Sequence, residues 1–315
     1  MLRLDKVTKY YRKKKVLNGI SLTIPAGSCY GLVGPNGAGK TTLLKILASV
    51  IQDYQGEVEL KGKKKRNIKE IVGYVPQEIC LEQTLSAYSN LCFFGRINGR
   101  KGRELQKRAQ EVLRDVGLEN RGQDKVMQFS GGMKRRLNIG CALMHMPRLI
   151  IMDEPTVGVD PQSRGYIFQM IQRLQEQGCT IIYATHYMEE VEEICDEVAF
   201  IDQGKIIEKG RVDDLLHKFA VPSVFVKATK SLPNGLEMIG EIRHHNGGNL
   251  VQTETPLLAM EKILSFYQSN PEDIERLELV QPRLVDVFFS LTGSALRDGK
   301  TLGETEYQPE QEGIG

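Results

Sequence analysis

Residues 34–42 combine three glycines with a lysine and two threonines in the pattern G-x-x-x-x-G-K-T. Glycines let backbone N–H groups converge on phosphate oxygens, and a helix that starts directly after them adds the positive end of its dipole. In this pattern Lys40 reaches the β- and γ-phosphates of a nucleotide, and the Thr41 hydroxyl is a ligand for Mg²⁺. The stretch therefore predicts a nucleoside triphosphate site made by Gly34, Pro35, Asn36, Gly37, Ala38, Gly39, Lys40, Thr41 and Thr42.

Two adjacent carboxylates, Asp153 and Glu154, follow the apolar residues 149–152. Such an apolar run is typical of a strand buried on both faces of a parallel sheet, and ligands bind at the carboxyl ends of these strands. We therefore expect Asp153 to hold Mg²⁺ through its water shell. Glu154 points the other way and could polarise the water that attacks the γ-phosphate.

A third pattern, formed by Ser130, Gly131 and Gly132, precedes the helix-compatible residues 137–143. Ser130 would cap the helix, and the two glycines would leave its first N–H groups bare for an anion. Taken alone, these residues are more often a plain serine cap with no ligand. They indicate a second anion site because the chain already has a first one.

The elements that must position these residues alternate between strands and helices. Residues 29–33 read as a short buried strand before the glycine-rich loop, and residues 42–50 read as a helix after it. Further strands are predicted at residues 149–152, 180–184 and 198–201, with helices at residues 167–175 and 188–194. This alternation favours right-handed crossovers and a mostly parallel sheet, so the predicted fold class is α/β.

Composition limits the class of protein. The 315 residues are 41% hydrophobic and 26% charged with a formal net charge of +2, which implies no bulk attraction to nucleic acid or acidic lipid. No run approaches the roughly 18 apolar residues of a membrane-spanning helix, and the N-terminus shows no secretory signal. Without any C-x-x-C spacing, we expect no zinc site and buried free thiols in a reducing compartment. The cysteines are Cys29, Cys80, Cys92, Cys141, Cys179 and Cys195.

In order and spacing, these patterns resemble those of the ATP-binding cassette (ABC) transporter ATPases over residues 1–220. The family motif L-S-G-G-Q is matched here by Phe129, Ser130, Gly131, Gly132 and Met133. The phenylalanine is a conservative change, whereas the methionine removes an amide that could reach the nucleotide sugar or the partner subunit. The resemblance implies a P-loop NTPase of ABC type, with a mostly parallel core sheet, an antiparallel N-terminal β-subdomain and a helical subdomain at about residues 79–145.

The resemblance also implies roles for single residues. Gln77 looks like the lid glutamine that senses Mg²⁺ and the γ-phosphate, Asp160 matches the loop that links the two sites of a dimer, and His186 matches the switch histidine. Tyr11 aligns with the residue that stacks on adenine, although Tyr10 beside it leaves the register open. The implied catalytic residues are Glu154, His186, Gln77 and Lys40. The implied metal ligands are Thr41, Gln77 and Asp153. The implied contacts to a partner's ATP are Ser130, Gly131, Gly132 and Met133.

A domain boundary is predicted near residue 220. Residues 221–293 read as the strands and helices of a small α+β domain, and the polar residues 294–315 are predicted to be disordered. Residues 280–293 resemble the closing segment of exporter ATPases that work with drug, antibiotic or lipid-linked efflux permeases. They are equally compatible with an amphipathic helix that packs the small domain.

In the family, two cassettes face each other head to tail, with ATP between the phosphate loop of one and the signature motif of the other. The resemblance therefore implies an ATPase that uses ATP and Mg²⁺ and pairs with a second copy of itself. It also implies separate permease subunits that dock on residues 79–117. The chain would lie at the cytoplasmic face of the membrane, held by these subunits, and would drive export of drug-, antibiotic- or lipid-like compounds.

Other functions stay open at this point. An importer ATPase with a regulatory C-terminal domain would share the same motifs. An ABC ATPase that acts on the ribosome or DNA would use the basic runs at residues 12–15 and 61–66. The near-neutral charge and the lack of interleaved aromatic residues favour solvated hairpins instead, so no nucleic-acid partner is expected. A nucleotide-binding module without hydrolysis is disfavoured because Glu154, Gln77 and His186 are all present.

Overall fold

Three β-sheets and nine α-helices make up the described part of the computed structural model, which covers residues 2–60, 71–219 and 221–292. The strands are β1 (Leu2–Tyr11), β2 (Lys14–Ile24), β3 (Cys29–Val33), β4 (Gln55–Leu60), β5 (Val72–Val75), β6 (Leu149–Asp153), β7 (Thr180–Thr185), β8 (Glu197–Asp202), β9 (Lys205–Arg211), β10 (Ser223–Ala228), β11 (Glu241–His245), β12 (Gly248–Gln252) and β13 (Ile274–Val280). The helices are α1 (Lys40–Leu47), α2 (Ala87–Ile97), α3 (Gly102–Asp115), α4 (Gly131–Leu143), α5 (Pro161–Glu176), α6 (Met188–Ile194), α7 (Val212–Phe219), α8 (Pro256–Phe266) and α9 (Leu284–Thr292). Among the helices in these ranges, none combines the length and the apolar character that a membrane crossing requires. The basic run at 61–66 and the tail at 294–315 lie outside the described residues.

The central sheet has the strand order β5-β6-β7-β3-β8-β9 and is parallel except for β9. Every residue of β3, β6 and β7 is buried, as expected for parallel strands covered by helices on both faces. Because these three strands are neighbours, the residues that follow their carboxyl ends meet at one edge of the sheet. The predicted mostly parallel α/β core is confirmed.

The N-terminal strands form an antiparallel sheet in the order β2-β1-β4. Leu4 of β1 and Leu17 of β2 share one apolar core with Leu43 and Leu44 of α1 and with Ile151 of β6. This core holds α1, and the glycine-rich loop before it, between the two sheets. The predicted antiparallel N-terminal subdomain is confirmed.

Helices α2, α3 and α4 form the predicted helical subdomain. Leu91 of α2, Val112 of α3 and Leu137 of α4 are buried in one apolar core, which continues beneath the central sheet to Ile150. Gly117 follows α3 with a φ of 64°, the left-handed conformation typical of the residue after a helix end. The signature residues therefore lie at the start of a helix, α4, that is packed on both of its neighbours.

The C-terminal sheet is antiparallel with the order β11-β12-β10-β13, and α8 packs on one of its faces. Val224 and Val226 of β10 and Val251 of β12 contact the same core as Ala259 and Ile263 of α8. This arrangement agrees with the predicted small α+β unit. The limits of that unit, at residues 221 and 293, stay predictions.

The last described helix, α9, belongs to a different core. Its buried residues Leu284 and Phe288 pack with Phe200 of β8 and with the apolar sides of α6 and α7. Just before the helix, Arg283 Nη2 lies 3.1 Å from Glu192 Oε2 of α6, and the Leu284 N–H donates to the other oxygen of that carboxylate. The predicted amphipathic helix is present, but the expectation that it packs the small domain is wrong, because its apolar face lies in the core formed with α6, α7 and β8.

We expect Phe288→Ala to lower the free energy of unfolding by about 3 to 5 kcal/mol, because it leaves a cavity in this core. Phe288 is 3% exposed, and its ring centroid lies 5.9 Å from that of Phe200. Urea unfolding followed by circular dichroism measures the change. Phe266→Ala is the control, since that ring is 52% exposed on α8 and its loss should cost less than about 1 kcal/mol. Equal losses in both variants would contradict the packing of α9.

All six cysteines are free, and four of them are buried, as expected: Cys29, Cys92, Cys141 and Cys179. Cys195 is partly exposed. The expectation is wrong for Cys80, which is exposed because it lies in the loop between β5 and α2 and not in a strand.

Candidate active site

The glycine-rich loop connects the end of β3 to the start of α1, as predicted. Gly37 and Gly39 have φ angles of 80° and 108°, a left-handed backbone that favours glycine. A Cβ at Gly39 would lie 2.9 Å from the Leu17 side chain and 3.1 Å from the Val16 carbonyl oxygen, so a larger residue has no space there. Because the N-cap residue of α1 is Gly39, which has no capping side chain, the first N–H groups of the helix are suited to bind an anion.

The Lys40 side chain folds back into the glycine-rich loop that precedes it. Its ammonium group donates to the carbonyl oxygens of Gly34 at 2.7 Å and Pro35 at 3.2 Å, and its side chain is 5% exposed. The same nitrogen lies 3.6 Å from Glu154 Oε1. The predicted phosphate ligand therefore lies beside the predicted catalytic carboxylate.

Thr41 and Asp153 meet as predicted for two Mg²⁺ ligands. The Thr41 hydroxyl donates to Asp153 Oδ1 at 3.1 Å. The other carboxylate oxygen, Oδ2, is buried and has no hydrogen-bond partner within residues 2–60, 71–219 and 221–292. Burial raises the pKa of Asp153, and the Thr41 hydroxyl opposes this shift. A buried carboxylate oxygen next to a hydroxyl is a pair of hard oxygen donors, which fits Mg²⁺.

Three side chains converge on Glu154. His186 Nδ1 lies 3.1 Å from Oε1, the oxygen that also faces Lys40, and Gln77 Nε2 donates to Oε2 at 3.2 Å. The hydrogen bond with His186 is the main cause that lowers the pKa of Glu154, and burial opposes it. The carboxylate is therefore ionised at neutral pH, as a group that accepts a proton from water must be. The structure brings the four predicted catalytic residues together, and their roles stay predictions.

The backbone at Glu154 is left-handed, with a φ of 47°. A non-glycine residue in this region is strained and persists only where its surroundings hold it. Here the Glu154 N–H donates to the Ala184 carbonyl oxygen of β7 at 2.9 Å. The turn aims the carboxylate towards Lys40 and His186, a feature that no local pattern revealed.

A cleft of about 760 Å³ opens at the phosphate loop. It is lined by Tyr11, Lys14, Lys15, Val16, Asn36, Gly37, Ala38, Gly39, Lys40, Thr41, Thr42, Gln77, Glu154 and Gln203. Tyr11 is 48% exposed and lines the cleft, which favours it over Tyr10 as the aromatic contact. The sequence analysis did not predict that the cleft is also lined by Lys14, Lys15 and Gln203. The basic run at 12–15 resembles a solvated hairpin in the sequence, and its place at the cleft depends on the pairing of β1 with β2.

The signature residues lie outside this lining. Ser130 Oγ accepts the Met133 N–H at 3.3 Å and caps α4, as predicted. Asp160 caps α5 in the same way through Ser163. A Cβ at Gly132 would lie 2.1 Å from Ser163 Oγ and 2.8 Å from Asp160 Oδ2, so the signature motif and the predicted dimer loop are in contact with each other. The structure thus places these two motifs together and apart from the phosphate loop of the same chain.

Glu190 of α6 is a buried carboxylate that the sequence reasoning missed. It accepts hydrogen bonds from three hydroxyl groups: Thr156 at 2.7 Å, Tyr183 at 2.9 Å and Thr185 at 3.0 Å. Thr156 lies two residues after Glu154, and Thr185 directly precedes His186. The Glu190 carboxylate therefore ties together the two segments that carry these site residues. Its position four residues after His186 was the only signal in the sequence.

Comparisons with known proteins show which proteins the chain is similar to. The chain matches the family described as ABC transporter over residues 17–157. It is 39% identical over 311 residues to the linearmycin resistance ATP-binding protein LnrL of Bacillus subtilis (strain 168), covering 95% of this chain and 100% of that protein. It is 36% identical over 308 residues to the Nod factor export ATP-binding protein I of Cupriavidus pinatubonensis (strain JMP 134 / LMG 1197), covering 95% and 92%.

Among solved structures, the chain is similar to the dimeric post-hydrolysis state of the ATP-binding cassette MJ0796 bound to ADP and phosphate. The TM-score is 0.62 at 28% sequence identity, and the match covers 67% of this chain and 98% of that chain. The similarity therefore extends over the whole of that cassette.

Proposed function

The chain belongs to the ABC transporter family, and from this premise we propose that it is the ATP-hydrolysing subunit of an ABC exporter. The convergence of Lys40, Gln77 and His186 on the ionised Glu154 carries the proposal. A carboxylate beside the position of a γ-phosphate repels that phosphate, so it weakens binding. It is useful in that position when it polarises a water molecule.

In the proposed reaction, Lys40 and the N–H groups of the loop hold the β- and γ-phosphates. Glu154 orients a water molecule and takes its proton as the water attacks the γ-phosphorus, while the bond from that phosphorus to the bridging oxygen breaks and ADP leaves. His186 and Gln77 hold the carboxylate in place through the contacts described above. Mg²⁺, when bound, neutralises charge on the phosphate oxygens, and Thr41, Asp153 and Gln77 are the residues that would hold it.

Phosphate release from ATP by the purified chain tests this function. We expect steady release by the wild-type chain and a loss of at least about 100-fold in Lys40→Ala, because one buried contact to the reacting phosphate disappears. Lys107→Ala is the matched control, since that side chain is 81% exposed on α3. Equal rates in the wild type and Lys40→Ala would overturn the proposal.

We further propose that the functional unit is a head-to-tail dimer. Ser130 and Gly131 are exposed, and neither lines the cleft of their own chain. A Cβ at Gly131 would meet only the Gly158 carbonyl oxygen, at an ordinary 3.7 Å, so internal packing does not require glycine there. Glycine at an exposed helix start suits the close approach of an external phosphate. The dimeric state of the similar cassette supports this arrangement.

The relatives named above act in linearmycin resistance and in Nod factor export. On this basis we propose that the chain powers export of a drug-, antibiotic- or lipid-like compound. Separate permease subunits would form the path and hold the chain at the cytoplasmic face of the membrane.

The helical subdomain offers a surface for such a permease. A groove of about 700 Å³ between α2 and α3 is lined by Tyr88, Phe93, Arg96 and Leu105, among others. Phe93 is 54% exposed, and Ile97 on the same helix is 65% exposed. Exposed apolar side chains beside an arginine suit an amphipathic segment of a partner protein.

We expect Phe93→Asp to reduce the amount of permease that co-purifies from detergent-solubilised membranes by at least about fivefold, because it removes an aromatic anchor of the interface. Quantitative mass spectrometry of the purified complex measures the effect, and circular dichroism verifies the fold. Phe266→Asp is the control, since this ring is equally exposed on α8, outside the groove. Unchanged recovery in Phe93→Asp would contradict the docking surface. A solute-binding protein in the complex would indicate an importer.

A further inference from the structure

Arg135 is a buried cation in the second turn of α4 that the reaction described above does not use. It is 6% exposed, and its Nη1 group donates to the carbonyl oxygens of Gln77 at 2.7 Å and Pro76 at 3.2 Å. These carbonyls belong to the loop after β5 that carries the lid glutamine. The guanidinium therefore connects the signature helix to the backbone of Gln77.

The hydrogen bonds from Arg135 to the Gln77 loop are costly to break, because this cation is buried. Within residues 2–60, 71–219 and 221–292, its guanidinium forms no ion pair with a carboxylate, and the carbonyls of Pro76 and Gln77 accept its hydrogen bonds. Burial lowers the pKa of Arg135, because the protein interior disfavours the charged form of the side chain. A buried charge without an ion pair is costly unless its hydrogen bonds are retained. Movement of α4 must therefore carry the Gln77 loop with it, or break these bonds.

In the proposed dimer, Arg135 connects two parts of the chain that face different ATP molecules. Ser130, at the start of α4, faces the ATP of a partner chain in the proposed dimer. Arg135 is five residues further along the same helix, about 7 to 8 Å away. The Gln77 side chain, beyond Arg135, donates to Glu154 Oε2 in the chain's own site.

We propose that Arg135 is a positioning residue that couples the two ATP sites of the dimer. Closure of the signature motif on the partner's ATP moves α4, and Arg135 transmits that movement to Gln77 and so to Glu154. Each site then hydrolyses ATP efficiently only when the other is occupied. The inference rests on the proposed head-to-tail dimer.

The neighbouring Arg136 offers a matched control. Its guanidinium also binds two backbone carbonyl oxygens, those of Val116 at 2.9 Å and Gly117 at 3.3 Å, and it stacks on Tyr166 at 4.7 Å. These contacts fix α4 to α3 and α5, and they do not involve the Gln77 loop. Loss of Arg136 therefore reports what the loss of an arginine in α4 does when the contacts to the Gln77 loop are kept.

The test measures phosphate release against ATP concentration for the wild-type chain and three variants: Arg135→Met, Arg135→Lys and Arg136→Met. For the wild type we expect a Hill coefficient above 1, with an upper limit of about 2 set by the two coupled sites. Arg135→Met should lower kcat at least about fivefold and bring the Hill coefficient to about 1, with the Kd for ATP in equilibrium dialysis unchanged. Arg135→Lys should restore part of both quantities, because an ammonium group can still donate to one carbonyl. Arg136→Met should keep the wild-type Hill coefficient.

Unchanged kcat and Hill coefficient in Arg135→Met would overturn the coupling, as would a wild-type Hill coefficient of 1. The same would follow if Arg136→Met reproduced the defect. If Arg135→Met does not fold, Arg135→Lys decides alone, through a Hill coefficient between 1 and that of the wild type. A failure of the proposed function is distinguishable, because the wild-type chain would then release no phosphate.

Discussion

Glu154→Gln is expected to slow ATP hydrolysis by about 10² to 10⁴-fold, the usual contribution of a general base. The amide has nearly the same size as the carboxylate, so the fold and the cleft should remain, but it cannot take a proton from water. It also removes the negative charge that faces Lys40 at 3.6 Å and His186 at 3.1 Å. Both side chains are then available to the γ-phosphate, and bound ATP is held longer.

The second expected property of Glu154→Gln is an ATP-bound dimer that does not separate. If ATP closes the dimer and hydrolysis opens it, a variant that binds but does not hydrolyse remains closed. Size-exclusion chromatography with ATP and Mg²⁺ measures the oligomeric state, beside a phosphate-release assay. Glu104→Gln, whose side chain is 79% exposed on α3, is the control and should elute as the wild type does. Only monomer in Glu154→Gln would count strongly against the head-to-tail dimer.

Gly131→Asp is expected to abolish hydrolysis without unfolding the chain. The position is exposed and has space for a side chain, and an acidic residue in the first turn of a helix is favourable for folding. Its carboxylate would, however, repel the phosphates of the partner's ATP. Phosphate release should therefore fall to the level of Lys40→Ala, with an unchanged melting temperature.

A mixture of the inactive variants Lys40→Ala and Gly131→Asp tests the composite site more specifically. In a dimer of one Lys40→Ala chain and one Gly131→Asp chain, one composite site carries both substitutions and the other carries none. An equimolar mixture should therefore regain intact sites at about a quarter of the wild-type number, and phosphate release should recover by less than this fraction, because the other site of each mixed dimer is impaired. Lys40→Ala mixed with Glu154→Gln is the control, because both defects lie on the phosphate-loop side and every site keeps one of them. No recovery in the first mixture, or equal recovery in both, would contradict the composite site.

The positions of the site residues could be predicted from the sequence because each motif is contiguous with the element that positions it. The phosphate loop lies between β3 and α1, and Asp153 and Glu154 follow the apolar residues of β6. Strand adjacency then brings the three loop segments together, and adjacency follows from alternating strands and helices in a parallel sheet. Periodicity and residue type were sufficient for this part of the site.

Two of the residues that were missed, Arg135 and Glu190, share a different property, since each is a charged side chain that is buried although it lies on a helix. Arg135 binds the carbonyl of Gln77 across 58 residues, and Glu190 binds Thr156 across 34. In the sequence, an arginine or a glutamate on a helix usually indicates a solvated face. Their burial depends on which surface of the helix turns towards the site, and side-chain type carries no information about that.

Local patterns therefore established the phosphate loop, the carboxylate pair, the helical signature segment and the α/β class of this chain, because backbone geometry and hydrophobic periodicity act over a few residues. The partners of these elements depended on the folded arrangement. An apolar stripe predicted the helix α9, yet it packs on α6, α7 and Phe200 and not in the core of the small sheet that directly precedes it in sequence. The free energy gained by burying apolar surface depends on the area buried and not on which apolar surface covers it. The topology of the chain therefore decides which apolar surfaces meet.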